Sequence, residues 1–332
     1  FPDAAFLKLG MTHPLPEKLI KKFAKKVDKL IVVEELSPFL EEAVKVLGID
    51  AVGKAKLPVT DELNPDIIRD AFIKKRRRHP VEDSSALPKR PPNLCAGCPH
   101  RGTFVALKPL KPVVFGDIGC YTLSVLPPLS THDMCVCMGA SIGISHGYAK
   151  VGGDKKKAVG VLGDSTFLHS GLTGVLEMAY NQGVNTVIVL DNRTTAMTGG
   201  QQHPATGYTL KGAETKAVDL VEVCKALGVE RAFKVDPFKI KETRKIIKRE
   251  LNTDEPSVLV STAPCPLQAR IRHTPMEVDH DKCIECGSCL KINCPAISTS
   301  GGMPVINTFL CNGCTVCAQI CPKDAIKTVK KK

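Results

Sequence analysis

Two hydrophobic periodicities alternate along most of the chain. Short apolar runs, typical of buried strands, occur at KLIVVEEL, PVVFGD, KAVGVLGD, NTVIVLDN, ERAFKV and PSVLVST. Apolar residues at helical spacing fill the intervals, as in PEKLIKKFAKKV, FLEEAVKVLG, SGLTGVLEMAYNQ and AVDLVEVCKALG. This alternation predicts an α/β protein: a doubly wound, mostly parallel sheet over residues 94–266, preceded by a small α/β domain over residues 1–70.

A basic, proline-containing segment separates these two regions. The run KKRRR at 74–78 continues into HPVEDSSALPKRPPN, so we predict a linker over residues 71–93. The net charge of +12 is concentrated there and in the three final lysines, 330–332. Only 5% of the residues are aromatic and none is tryptophan, so a nucleic-acid partner is not expected.

Two cysteine runs near the C-terminus, CIECGSCLKINCP and CNGCTVCAQICP, have the bacterial ferredoxin spacing for two [4Fe–4S] clusters. In that pattern the fourth cysteine of each run binds the other cluster. The predicted first cysteine group is Cys283, Cys286, Cys289 and Cys321. The predicted second cysteine group is Cys294, Cys311, Cys314 and Cys317. Residues 275–332 are therefore predicted to be a two-cluster ferredoxin domain.

The first run departs from the pattern, because four residues instead of three precede Cys294, and its loop is expected to bulge. A zinc ribbon or a disulfide scaffold would also use groups of four cysteines, but neither needs the repeated triplet and proline. Fifteen cysteines favour a reduced, oxygen-poor cytoplasm, and no apolar stretch reaches the length of a membrane helix. The chain begins at Phe1 without a methionine, so we expect part of a longer protein.

Polar residues follow two of the predicted strands. The run VGVLGDS ends in Gly163, Asp164 and Ser165, and NTVIVLDN ends in Asp191 and Asn192. Glycine allows a diphosphate to approach the backbone, the following helix offers free amides, and oxygens of Asp164 and Asn192 suit Mg²⁺. Because ligands of such sheets bind beyond the carboxyl ends of the strands, we predict a metal-bridged diphosphate site there.

These motifs resemble a known family. GDS followed by DN resembles the thiamine diphosphate motif, and TAMTGGQQHP, CAGCPHRG and DIGC are similar to segments of 2-oxoacid:ferredoxin oxidoreductases. With the cysteine-rich tail, the resemblance over nearly the whole chain is to the α subunit of indolepyruvate ferredoxin oxidoreductases. It implies a transketolase C-terminal type domain at residues 1–70, entered at LGMTHPLP, and a pyrophosphate-binding domain at residues 94–266.

The resemblance also implies roles for individual residues. Mg²⁺ would be held by Asp164, Asn192 and the carbonyl of Thr194, with the diphosphate at Ser165 and its neighbours. Asp191 replaces the first member of the family's usual asparagine pair. The further residues implied to contact the cofactor are Gly116, Asp117, Ile118, Gly119, Met138 and Gly139.

The implied reaction is oxidative decarboxylation of aryl 2-oxoacids, such as indolepyruvate and phenylpyruvate, to acyl-coenzyme A and CO₂. Thiamine diphosphate would supply the electron sink, and the clusters would pass electrons to ferredoxin. No GxGxxG fingerprint for a nicotinamide cofactor is present. The alternative is an electron-transfer subunit whose α/β domain is inactive, although retained metal ligands count against it.

The pyrimidine-side domain, which supplies an activating glutamate in such enzymes, has no counterpart in this sequence. We expect that glutamate on a preceding segment or on a second, β subunit, and Glu34 and Glu35 are assigned to a surface or interface role. The chain alone should therefore bind the cofactor weakly and should not turn over.

Three upstream cysteines, Cys95, Cys98 and Cys120, match positions that hold a third cluster in related oxidoreductases. The fourth ligand could be Cys135, Cys137 or Cys265, and free thiols fit the sequence equally well. Cys224, on an apolar helical face, is expected in the core. The basic residues near these cysteines and the diphosphate motif are candidates for contacts with substrate or diphosphate, or for structural roles: His100, Arg101 and His203.

Overall fold

The computed structural model describes residues 1–73, 87, 91–152 and 158–329. Contacts divide the chain into two compact units, Phe1–Lys89 and Arg90–Lys332. Most of the predicted linker at 71–93 lies outside the described residues, together with the basic run at 74–78 and the lysines at 330–332. Within the described ranges, no helix is long and apolar enough to cross a membrane.

The first unit is a small α/β arrangement in which two short strands pair in parallel. Its elements are α1 (Glu17–Ala24), β1 (Leu30–Ile31), α2 (Phe39–Val46), β2 (Ala51–Val52) and α3 (Pro65–Phe72). Ile20, Val32, Val44 and Ala51 form its core. The helical and strand patterns thus predicted the element types correctly, but the strand is shorter than the apolar run.

Glu34 gives the physical reason for the early end of β1. Its carboxylate oxygens accept hydrogen bonds from the backbone N–H groups of Leu40 at 2.7 Å and Glu41 at 2.9 Å. These are free donors of the first turn of α2, so the segment after Ile31 turns to cap that helix instead of continuing the strand. Glu35 accepts from the N–H of Leu63 at 2.9 Å. Both glutamates therefore have partners within the first unit.

The second unit is built on a six-stranded sheet in which all neighbouring strands are parallel. The strands are β3 (Val113–Gly116), β4 (Met134–Cys135), β5 (Ala158–Gly163), β6 (Thr186–Asp191), β7 (Arg231–Val235) and β8 (Ser257–Thr262). Their order is β4-β3-β5-β6-β8-β7. The chain therefore moves outward in both directions from β3 and β5, as in a doubly wound fold.

Helices cover both faces of this sheet, which confirms the predicted fold class. They are α4 (Pro99–Leu107), α5 (Ala140–Lys150), α6 (Asp164–Thr166), α7 (Leu172–Tyr180), α8 (Leu220–Ala226) and α9 (Ile240–Glu250). A π-helical turn, Phe167–Gly171, joins α6 to α7. Alternate residues of β6 face opposite cores: Ile188 packs with α4 and α9, and Val187 packs with α5, α7 and α8.

The C-terminal region contains two small antiparallel strand pairs, β9 with β12 and β10 with β11. The elements are β9 (Met276–Val278), β10 (Ile297–Ser300), β11 (Met303–Ile306), α10 (Val316–Gln319) and β12 (Ile326–Thr328). Its buried residues Ile292 and Val316 share one core with Phe104 of α4. The Gln319 side chain donates to Phe238 O at 2.7 Å and accepts from Ile240 N at 3.1 Å. This region is therefore anchored directly on the sheet-bearing domain.

Candidate functional site

The carboxyl ends of β5 and β6 bring the predicted metal ligands into one buried region. Asp164 begins α6 directly after β5, Asn192 follows β6, and Thr194 lies two residues farther on. All three are buried. The structure therefore brings together the residues that the motif pairs, as expected for parallel neighbours in a sheet.

An unsatisfied oxygen marks this region as a fit for a cation. Asp164 Oδ1 accepts from the N–H of Ser165 at 2.8 Å, whereas Asp164 Oδ2 has no hydrogen-bond partner although it is buried. His203 Nε2 lies 3.1 Å from that oxygen and also lacks a hydrogen bond. Because buried polar atoms are rarely left unpaired, this carboxylate oxygen suits a hard cation such as Mg²⁺.

His100 approaches the same region from the start of α4. Its Nε2 lies 3.4 Å from Asn192 Nδ2, and its ring meets Tyr121 edge-on at 5.9 Å between centroids. Burial lowers the pKa of His100 to about 4, although the Asp164 carboxylate opposes that shift. At neutral pH His100 is therefore an uncharged imidazole beside the predicted metal ligands.

Asp117 organises the end of β3. Its Oδ2 accepts from the N–H of Gly139 at 2.8 Å, and its Oδ1 accepts from the Tyr121 hydroxyl. Burial raises the pKa of Asp117 to about 6, while these two hydrogen bonds act in the opposite direction. Asp117 thus ties the loop before α5 to β3. Met138 in that loop is 43% exposed.

The glycines at the strand ends leave room for the side-chain rings of His132 and Tyr121. A Cβ on Gly116 would lie 2.1 Å from His132 Cδ2, and one on Gly119 would lie 2.3 Å from Tyr121 Cε1. A Cβ on Gly163 would lie 3.1 Å from the same Tyr121 atom. The sequence predicted that Gly163 allows close approach of a diphosphate, and the family resemblance implied cofactor contacts for Gly116 and Gly119. Tyr121 and His132 were missed as residues that shape this region.

The residues around the β6 end are held in a specific conformation. Asp191 Oδ2 lies 3.2 Å from Arg193 Nε. Burial raises the pKa of Asp191, Arg193 lowers it, and Asp164 raises it further. Arg193 itself has a left-handed φ of 61°, which costs a residue with a side chain about 1–3 kcal/mol. That turn sets Asn192 Oδ1 to accept the N–H of Thr194 at 3.2 Å.

The cysteines of the C-terminal region surround two separate cavities. One is lined by all four members of the first cysteine group, and the other by all four members of the second. Burial raises the pKa of Cys317 to about 12, and Cys314, Cys294 and Cys311 raise it further. Burial also raises the pKa of Cys289, with smaller effects from Cys283, Cys286 and Cys321. Each thiol set therefore fits one cluster, whose iron would deprotonate the thiols on binding.

The additional residue in the first run forms a tight turn. Leu290–Ile292 is a 3₁₀ helix, and Asn293 follows with a left-handed φ of 55°. Asparagine tolerates this conformation better than most residues. The turn carries Cys294 to the cavity of the second cysteine group, so the expected bulge is a short helical turn.

The upstream cysteines also lie together, and Cys265 is among them. Burial raises the pKa of Cys98 to about 12, with further increases from Cys120 and Cys95. Burial likewise raises the pKa of Cys120, and the neighbouring Cys265 and Cys95 raise it further. We call Cys95, Cys98, Cys120 and Cys265 the third cysteine group. The N–H of Cys265 donates to Asn192 O at 2.9 Å, which joins this group to the predicted metal site.

Cys135 and Cys137, the other two candidates for the fourth ligand of a third cluster, lie outside the third cysteine group. Cys135 donates to Asp117 O at 3.3 Å, and its raised pKa is due to burial, then to Asp117 and Cys137. Cys135 and Cys137 are exposed. Cys224 is fully buried on α8, as its apolar helical face predicted.

Comparison with known proteins defines the class of this chain. Residues 117–261 match a family model described as the C-terminal TPP-binding domain of thiamine pyrophosphate enzymes. Residues 275–326 match a model described as a 4Fe-4S dicluster domain. The chain therefore combines a thiamine pyrophosphate-binding domain with a two-cluster iron–sulfur domain, as the motifs predicted.

Curated relatives identify the family within that class. The chain is 39% identical over 343 residues to the indolepyruvate oxidoreductase subunit IorA of Methanothermobacter thermautotrophicus, covering 97% of this chain and 55% of that protein. It is 37% identical to IorA of Archaeoglobus fulgidus, covering 98% of this chain and 56% of that protein. The chain belongs to this 2-oxoacid:ferredoxin oxidoreductase family. It spans about half the length of the curated relatives it matches.

A solved 2-oxoglutarate:ferredoxin oxidoreductase from Magnetococcus marinus is 18% identical, with a TM-score of 0.44. The match covers 57% of this chain and 70% of that chain.

Proposed function

We propose that this chain is the thiamine diphosphate and iron–sulfur part of a cytoplasmic oxidoreductase that decarboxylates aryl 2-oxoacids, including indolepyruvate and phenylpyruvate. The products are the acyl-coenzyme A thioester and CO₂, and the electron pair passes to ferredoxin. A second subunit, or a segment preceding this chain, supplies the activating glutamate. The aryl preference rests on the similarity to indolepyruvate oxidoreductase subunits.

The observation that carries this proposal is the hydrogen bond from Cys265 N to Asn192 O at 2.9 Å. It joins a residue of the third cysteine group to a residue of the predicted diphosphate site. Electron transfer from a bound cofactor requires a nearby acceptor, and these cysteines would place one at the cofactor. If the α/β domain were catalytically inactive, the closeness of the third cysteine group to the predicted diphosphate site would have no function.

Several residues of this chain have separate roles at the proposed cofactor site. Asp164, Asn192 and the Thr194 carbonyl would hold Mg²⁺, and backbone N–H groups in the first turn of the helix after Ser165 would donate to the diphosphate. Thiamine diphosphate, when bound, supplies the electron sink for decarboxylation. His100 remains neutral there, because burial lowers its pKa to about 4.

The three cysteine groups would form a relay. The loop carrying Cys95 packs against the second group: Ala96 and Gly97 line the same cavity as Cys294 and Cys314. The first group lies in its own cavity, with Cys286 exposed. We therefore assign the order third, second, first, with ferredoxin docking near the first group.

The test is anaerobic assay of the complete complex with coenzyme A and a ferredoxin or viologen acceptor. Indolepyruvate and phenylpyruvate should support rapid reduction, and pyruvate and 2-oxoglutarate should support little. An Asp164→Ala variant should lose bound thiamine diphosphate and turnover while keeping the clusters of the first and second cysteine groups. A complex that contains clusters but no thiamine diphosphate would favour the electron-transfer alternative, and reaction with small aliphatic 2-oxoacids alone would refute the aryl assignment.

A further inference from the structure

Arg101 is a buried cation held entirely by backbone carbonyl groups. Its side chain donates to Ile292 O at 2.6 Å, Leu94 O at 2.5 Å and Cys95 O at 3.1 Å, and it also bonds Asn293 O. The residue is 1% exposed, and its Nε has no hydrogen-bond partner. In the described part of the chain no carboxylate forms an ion pair with it. The guanidinium therefore has dipolar partners but no counter-charge.

A buried charge without an opposite charge is costly, so its surroundings should supply one. The carbonyls that hold Arg101 belong to two cysteine-bearing loops. Cys95 is in the third cysteine group, and Asn293 directly precedes Cys294 of the second group. Arg101 also lines the cavity of the second group. Thiolate-ligated iron–sulfur clusters would provide the missing negative charge.

Arg101 touches one of the two C-terminal cavities and not the other. It lines the cavity of the second group together with Cys294 and Cys314, and it is not among the residues that line the cavity of the first group. Its hydrogen bond to Cys95 O also places it beside the third group. The charge of Arg101 therefore acts on the second and third groups more strongly than on the first.

We propose that Arg101 raises the reduction potential of the cluster in the second cysteine group and holds that cluster against the third group. This inference rests on the proposed function, because it requires clusters in these groups. Reduction adds one negative charge to a cluster, and a nearby buried cation stabilises the reduced form. Arg101 touches neither substrate nor reacting atoms, so its role is positioning and tuning.

The consequence for electron flow is that one cation serves two carriers. An electron that leaves the third group meets a second-group cluster whose reduced form is stabilised by the same cation that binds the connecting loop. A single side chain from the first turn of α4 therefore joins two electron carriers mechanically and stabilises the reduced form of the acceptor.

The experiment compares Arg101→Gln with the unsubstituted protein by anaerobic redox titration of the complete complex, monitored by electron paramagnetic resonance. The signals are first assigned with Cys286→Ser and Cys314→Ser, which alter one ligand of the first and second clusters, respectively. Loss of the cation should lower the second-cluster potential by about 59 mV, equivalent to a tenfold change in its oxidised-to-reduced ratio. The first-cluster potential should be unchanged and serves as the internal control.

Two further variants separate charge from structure. Arg101→Lys keeps the charge but loses the planar fork, so its second-cluster potential should remain near that of the unsubstituted protein. Arg244→Gln removes a half-buried guanidinium that binds Val105 O at 3.2 Å and Ala106 O at 3.3 Å, at the other end of α4. Arg244→Gln should leave the reduction potentials of the first and second clusters unchanged.

The outcomes are distinct. An unchanged second-cluster potential in Arg101→Gln, or an equal fall in both clusters, would overturn the role of Arg101. If Arg101→Gln does not assemble, the lysine variant decides: a retained potential supports the charge, and a lowered one refutes it. Absence of cluster signals from the unsubstituted complex would instead refute the proposed function, so the two failures are distinguishable.

Discussion

Gly97→Ala should destabilise the second unit more than an ordinary glycine substitution. Gly97 lies between Cys95 and Cys98 with a left-handed φ of 76°. A Cβ there would lie 2.5 Å from both Cγ and Oδ1 of Asn312 and 2.6 Å from its Cβ. The Asn312 side chain cannot easily retreat, because its Nδ2 donates to Ile271 O at 2.5 Å.

The expected cost has two parts. The left-handed backbone penalises a residue with a Cβ by about 1–2 kcal/mol. Forcing an additional methyl group into a packed contact adds about 1–3 kcal/mol. The total loss in free energy of unfolding is therefore roughly 2–5 kcal/mol.

Gly212→Ala is the matched control, because Gly212 has a left-handed φ of 84° but nothing within 4 Å of its added Cβ. It should cost only the backbone part, about 1–2 kcal/mol. Both variants are measured by anaerobic urea denaturation, followed by circular dichroism and by cluster absorbance. If Gly97→Ala costs no more than Gly212→Ala, the Cys95 loop does not pack on Asn312 as described, and the reasoning fails.

Three other predictions concern the site. Cys265→Ala, which leaves no ligand atom at this position, should lower the iron content from about twelve to about eight per chain, because only two clusters would remain; a content already near eight in the unsubstituted protein would exclude the third cluster. His203→Gln should weaken Mg²⁺-dependent binding of thiamine diphosphate, measured calorimetrically, by about 10–100-fold, since His203 contacts Asp164 from outside the ligand set; unchanged affinity would contradict this. Burial lowers the pKa of His132 to about 4, from an ordinary value of 6.5. As the pH falls below 6.5, His132 therefore binds a proton in the unfolded state before it does so in the folded state. Between pH 7.5 and pH 5, the free energy of unfolding of the unsubstituted protein should therefore fall by about 2 kcal/mol more than that of His132→Gln in denaturation experiments. Equal losses in the two proteins would refute this prediction.

The sequence predicted those parts of the fold that depend on local patterns. Long apolar strands such as Thr186–Asp191 were identifiable because they are buried on both faces. The strand Met134–Cys135 was missed because it is two residues long and exposed. The π-helical turn Phe167–Gly171 was also missed, since the surrounding pattern is that of an ordinary helix.

The candidate site likewise contains residues that local sequence patterns reveal and residues that only the three-dimensional structure reveals. The two C-terminal cysteine groups could be predicted from spacing, because short loops hold three members of each group and the ferredoxin pattern exchanges the fourth. The sequence named Cys265 as one of three candidates for a fourth ligand, and it could be singled out only after the sheet order was known, since β8 lies beside β6 and so brings it to Asn192. Tyr121 and His132 carried no sequence signal, because their contacts with the strand-end glycines are set by packing in three dimensions.

If the third cysteine group binds a cluster, the hydrogen bond between Cys265 and Asn192 would join the proposed iron and thiamine diphosphate sites in one linkage cycle. If iron loading orders Cys265, it also orders the chain segment that presents Asn192, and the cofactor then binds a prepared site. Thermodynamic reciprocity requires that bound cofactor strengthen iron retention by the same factor. Maturation of the protein and its resistance to iron loss would therefore be governed together by the supply of thiamine diphosphate.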